Sequence, residues 1–155
     1  MAIYHARVKT FSRAKGHSSV AAAAYRAGLL LVDEKTGSRH DYRRRGGVVE
    51  TRCVVPTDAP EWSLVPAQLW SAAEHAERRK DATVAREFEL ALPHELSDDQ
   101  RSALAAEITR ALVDRYQFAA QASIHSPDAK GGLNWHLHIR SEEHTSELQS
   151  HHDLV

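Results

Sequence analysis

The stretch "FAAQASIHSPDAKGGLNWHLHIR", Phe118 to Arg140, decides how this chain folds. Two runs of strand-like alternation, "FAAQASIH" and "LNWHLHIR", flank "SPDAKGG", whose proline and paired glycines suit a hairpin loop. Alternation puts His136 and His138 on one strand face, with Trp135, Leu137 and Ile139 on the other. In the preceding strand it sets His125 opposite in sense to Phe118 and Ile124. If the two strands pair, His125 comes near His136 and His138, and three imidazoles converge from neighbouring strands. Neutral imidazoles with open positions are a common way to hold a catalytic divalent ion such as Zn, Mn, Ni or Co. The competing reading is a set of exposed strand histidines, and it is the third histidine that brings the metal reading level with it.

Outward from the hairpin, "TVAREFELALP" reads as a strong strand with Val84, Arg86, Phe88, Leu90 and Leu92 facing one way and Ala85, Glu87, Glu89 and Ala91 the other. Ser97 and Gln100 form a capping box that opens a helix to about Tyr116. Nearer the N-terminus the reading is a strand over Met1–Lys9, then an alanine-rich helix over Ser19–Leu31 with Ser18 or Ser19 as its N-cap. A turn-rich basic segment, "DEKTGSRHDYRRRGG", precedes a second strand, "VVETRCVVP". The helix in "APEWSLVPAQLWSAAEHAERRK" should start after Pro66 or form in two pieces. This order predicts an α+β domain, a largely antiparallel sheet packed with helices.

Composition limits the classes available. At 155 residues and 42% apolar the chain is long enough for one domain with a core, and its longest apolar runs fall short of a membrane span. No secretory signal pattern opens the sequence, so a cytoplasmic location without membrane contact is expected. The lone Cys53 reads as a small strand residue. The net charge is −1, but Ser141 to Val155 hold four acids and no Lys or Arg, and the rest has 20 basic against 17 acidic residues. The densest basic patch is Arg43, Arg44 and Arg45.

With "AAAAYRAG" near the N-terminus and "VAREFELALPHELSDDQR" in the middle, the histidine strand acquires a context. Over roughly residues 1–139 the chain resembles the MobA/MobL family of plasmid relaxases (MobQ type), strand-transferring nucleases that nick a mobile plasmid at its transfer origin. The resemblance implies a relaxase (HUH-nuclease-like) fold, Tyr25 as the nucleophile that attacks DNA, and His125, His136 and His138 as ligands of a divalent metal ion (Mg, Mn, Zn or similar). The acidic strand residues correspond to Glu87 and Glu89, one orienting a histidine or accepting the tyrosine proton, with nothing to say which. In that setting Arg26 and Arg43–Arg45 become candidate phosphate contacts rather than solvated surface. The implied partners are single-stranded origin-of-transfer DNA and accessory mobilisation proteins, for conjugative mobilisation through a 5′-phosphotyrosine intermediate.

The resemblance stops after Ile139. "RSEEHTSELQSHH" resembles instead the translation of a common sequencing-library adapter, so the expectation is a C-terminally truncated relaxase domain over 1–139 and an artefactual tail over 140–155. Two rivals stand beside the relaxase. A rolling-circle replication initiator pairs the same groups but usually places its histidines before its tyrosine, the reverse of the order here. A non-catalytic DNA-binding fragment would bind without nicking.

Overall fold

The computed structural model describes residues 5–15, 18–77 and 83–143. In chain order it forms β1 (Ala6–Ser12), α1 (Ser19–Ala27), β2 (Leu30–Val32), β3 (Arg39–Asp41), β4 (Val48–Val54), α2 (Pro66–Ala76), β5 (Thr83–Leu92), α3 (Asp98–Tyr116), β6 (Ala120–His125) and β7 (Trp135–Glu142). Five strands make one antiparallel sheet in the order β1-β5-β7-β6-β4, while β2 and β3 pair separately. The expected hairpin therefore forms, and long strands β5 and β7 occupy the middle of the sheet.

Two apolar layers enclose that sheet. On one side α1 and α2 bury Val20, Ala23, Leu69, Trp70 and Ala73. On the other, α3 supplies Ala105 and Val113 against Ile124, Leu137 and Ile139. The face alternation read from sequence holds: the β5 and β7 residues that meet α3 are the apolar set, and the charged set faces α1. A buried amide fixes α1 against the sheet, since Gln121 accepts from Trp70 Nε1 (2.9 Å) and donates to the Ala23 carbonyl (3.2 Å). At the other end of α1, Ser18 caps the helix, and Glu74 of α2 accepts the Ser19 amide at 2.7 Å, placing a carboxylate where the first-turn N–H groups need one.

Several boundaries differ from expectation. Helix α1 stops at Ala27, not near Leu31, because Gly28 takes the left-handed conformation (φ 62°) and donates to the Ala24 carbonyl. The freed residues Leu30–Val32 then pair with Arg39–Asp41, so the segment read as turn-rich contains a strand. The helix around Pro66 does form in two pieces, a 3-10 turn over Glu61–Leu64 followed by α2 with Pro66 as its first residue. The boundary expected between residues 139 and 140 falls inside β7, whose pairing with β5 runs on through Arg140, Ser141 and Glu142. All three of these residues are buried. The rest of the expected tail, 144–155, lies outside the described residues, as do the first four residues of the expected N-terminal strand.

Candidate metal and nucleophile site

The site grows from three rungs of the central sheet. His125 lies opposite His136, Ser123 opposite His138, and Glu89 opposite His138 on the other side of β7, so all project to the α1 face. The rings of His125 and His138 are 4.5 Å apart and those of His136 and His138 6.2 Å apart. The three predicted histidines are thus brought together by strand register.

The last turn of α1 lies on this cluster through a single residue. The Arg26 carbonyl accepts from His125 Nε2 at 2.8 Å. A carbonyl can only accept, so Nε2 carries the proton and the lone pair stays on Nδ1. The Arg26 side chain turns the other way to Glu87, with Nε 2.7 Å from Oε1 and Nη2 3.4 Å from Oε2. Glu87 is wholly buried, and its Oε1 also lies 3.2 Å from His138 Nδ1, in ion-pair range but off the line of a good hydrogen bond. Burial alone would raise the Glu87 carboxyl; the His138 ring nitrogen beside it and the bonds and charge of Arg26 outweigh that and hold it at about 2. Glu89 has other company, Arg7 Nη2 at 2.7 Å and Lys9 Nζ at 3.6 Å from Oε2, which pull it down against the same burial effect. Two carboxylates that spacing could not separate are separated by their partners.

Burial pushes His125 down to about 4, and His136 is lowered in the same way. Both rings are therefore neutral near pH 7, the form in which imidazole is a ligand. The donor set suits a borderline divalent ion, with His138 Nδ1 toward a carboxylate in the manner of an oriented ligand. The rings are gathered without closing on one point: among the described residues no group of three His, Cys, Asp or Glu stands at ligand spacing.

Tyr25 is 41% exposed and borders a cleft of about 320 Å³ whose wall includes Ala21, Ala22, Arg26 and Tyr42. Tyr42 meets its ring edge-on at 5.3 Å, a neighbour that sequence reasoning missed because the hairpin bringing it there begins where a helix was expected to continue. The basic triplet divides. Arg43 is paired with Asp41 (Nη2–Oδ2 2.7 Å) and, chiefly by that side-chain bond, holds the Asp41 carboxyl far below the usual range. Arg45 lies over the Tyr25 ring at 4.1 Å and donates to the Tyr25 carbonyl at 3.2 Å. Arg44 is exposed and meets no partner among the described residues. Arg26, expected at a phosphate, is engaged with Glu87. Arg7 and Lys9 were also missed; their alternation was visible, but nothing local told which strand they would lie beside.

An antiparallel sheet carrying a histidine trio, crossed by a tyrosine-bearing helix, defines a relaxase-type α+β domain. Residues 17–144 match the MobA/MobL family, and the chain belongs to it. It is 40% identical over 161 residues to mobilization protein MobL of Acidithiobacillus ferridurans, covering 90% of this chain and 42% of that protein. It is 34% identical over 149 residues to mobilization protein A of Escherichia coli, covering 95% of this chain and 18% of that protein. The fold matches, with a TM-score of 0.84 and 26% identity, a solved structure described as the molecular basis of vancomycin resistance transfer in Staphylococcus aureus, covering 91% of this chain and 70% of that one. The chain therefore spans less than half the length of these two mobilization proteins. No helix among the described residues is long and apolar enough to cross a membrane.

Proposed function

We propose that this chain carries the nicking site of a plasmid relaxase, acting in the cytoplasm on single-stranded origin-of-transfer DNA during conjugative mobilisation, alongside accessory mobilisation proteins. The observation that carries the reading is the double tie at Arg26: its carbonyl to His125 and its guanidinium to Glu87 set the residue next to Tyr25 against the histidine face. Tyr25 Oη attacks the scissile phosphorus. The Oη–P bond forms, the P–O3′ bond breaks, the phenol proton leaves through the open cleft to solvent and the 3′ oxygen takes one up. The 5′-phosphotyrosine so formed keeps the ester, so a free 3′-hydroxyl can reverse the step and rejoin a strand. His125 through Nδ1, His138 through Nε2, and His136 would hold a divalent metal ion, whose contribution is to draw charge from the non-bridging phosphate oxygens. Glu87, already low and engaged on both oxygens, orients His138 rather than accepting the phenol proton. The small residues Ala21 and Ala22 leave the cleft open to a strand.

Incubation with single-stranded origin DNA labelled on the 3′ side of the nick, plus a divalent ion, should give a labelled protein band that survives denaturation. Tyr25→Phe should fold, bind DNA and lose that band. An adduct surviving in Tyr25→Phe would move the nucleophile to another tyrosine, Tyr42 first. Binding without any adduct in the wild type would leave a DNA-binding fragment, and cutting without an adduct a hydrolytic nuclease.

A further inference from the structure

We propose that Arg45 is a positioning residue that holds the Tyr25 ring for attack, and that its neighbour Arg44 is the member of the triplet that meets a DNA phosphate. This rests on Tyr25 being the nucleophile. Within its own helix Tyr25 has the small neighbours Ala21, Ala22 and Ala24, and the Arg26 guanidinium, drawn to Glu87, stands at the longer distance of 5.6 Å from its ring centroid. Two groups from outside the helix supply further restraint: the Arg45 guanidinium over the ring at 4.1 Å and the Tyr42 ring with its centroid at 5.3 Å, the two rings being perpendicular. Both come from one short loop.

That loop is fastened along its length. Tyr42 N donates to the Leu29 carbonyl (3.0 Å), Arg45 N to the Tyr42 carbonyl (2.9 Å), and the Gly47 carbonyl accepts from Ser126 N (2.8 Å) and Ser126 Oγ (3.3 Å). Gly47 takes a positive φ of 87°, which lets its carbonyl turn to that hairpin. The loop therefore runs as a strap from the end of α1 to the residue after His125, and the bond from Arg45 Nη1 to the Tyr25 carbonyl closes it over the nucleophile. A guanidinium placed this way is already ordered before DNA arrives. It can stack flat and donate from its edge at once, which an ammonium cannot. The same strap leaves Arg43 occupied by Asp41 and Arg45 held against Tyr25, while Arg44 is exposed and meets no partner among the described residues, so of the three Arg44 has the side chain most free to reach a phosphate.

The two roles separate in a single-turnover assay on this chain with an origin oligonucleotide, read with the dissociation constant across a salt series. Arg45→Ala should slow adduct formation at saturating DNA about three- to tenfold, the scale of a cation–aromatic contact, with the dissociation constant little changed; Arg45→Lys should recover only part. Arg44→Ala should weaken binding and reduce the salt slope by about one, with the saturated rate unchanged. A readout independent of activity is the fluorine spectrum of 3-fluorotyrosine-labelled protein, with the Tyr25 line assigned by its loss in Tyr25→Phe. Arg45→Ala should shift and narrow that line, and Arg44→Ala should leave it in place. If Arg45→Ala instead behaves like Arg44→Ala, with weaker binding, an unaltered saturated rate and an unmoved line, the positioning role is wrong. If the wild type forms no adduct, the nucleophile reading fails first, and the fluorine line still decides whether Arg45 holds the ring.

Discussion

Glu87 and Glu89 stand two residues apart on one strand face, and their surroundings give them different work. Glu87 joins a metal-ligand candidate to the helix that carries Tyr25, and Glu89 gathers the basic side chains of the edge strand. The titration of the metal-free protein follows from such environments. Burial takes His125 from its ordinary 6.5 to about 4, so between these values the unfolded chain binds a proton that the folded chain refuses. Stability is then lost as pH falls from 6.5 towards 4, by about 1.4 kcal/mol for each unit by which the pKa is displaced. Glu87, held at about 2 against an ordinary 4.5, contributes stability above 4.5 that is lost as pH falls further. In a chelator, the urea midpoint should therefore decline continuously below about pH 6.5, and His125→Gln should flatten the upper part of the decline. A midpoint unchanged between pH 7 and pH 5 would contradict the buried neutral imidazole.

At the scale of elements, the end of α1 matters most, because it sets where Tyr25 and Arg26 lie. Apolar composition continues past it through "GLLLV", and that is why a helix to Leu31 was the natural expectation. Gly28 overrides it at a φ of 62°, with Val48 Cγ2 only 3.4 Å from where a Cβ would stand. Gly28→Ala should cost about 1–2 kcal/mol from the left-handed backbone, and it should lower adduct yield as well, because the strain falls two residues from Arg26. A urea midpoint equal to wild type would show that the helix end is not held by this residue. Helix α3 is the contrasting case, since its cap is local: Ser97 Oγ accepts from Gln100 N (3.2 Å) and Gln100 Oε1 from Ser97 N (2.9 Å), as the sequence pattern predicted.

For the whole molecule, the question is where the native sheet ends. Strand β7 runs to Glu142, and its last rungs carry a buried Arg140 lying 4.0 Å over the Phe11 ring and a Glu142 carboxylate that accepts the Ala119 amide at 3.2 Å. We propose that an adapter-derived tail contributes nothing beyond this strand. A chain ending at Glu143 should keep the full melting temperature, whereas one ending at Ile139 should lose several degrees, because three ladder positions and the buried guanidinium go with it. A drop of several degrees for the longer of the two truncated chains would show that the remaining residues pack. Sequencing the genomic locus across these codons tests their origin directly.

The sequence by itself determined the alternation that puts His136, His138, Glu87 and Glu89 on polar strand faces, the capped start of α3, the hairpin at residues 126–132 and the family motif around Tyr25. These are short-range properties: a strand's two-residue period, a cap and a turn are set by residues within a few positions of each other. Only the tertiary structure decided that Glu87 rather than Glu89 comes within ion-pair range of His138 Nδ1, that Arg26 is tied to the histidine face, that Tyr42 shares the Tyr25 cleft, and that the three neighbouring arginines have three different fates. Each of these depends on which strand or loop is folded against which, across sequence separations of 61 residues for Arg26 and Glu87 and 99 for Arg26 and His125. Partners that far apart are chosen by sheet register and helix docking, whose free energy is spread over a whole buried face and is written in no single stretch of the chain.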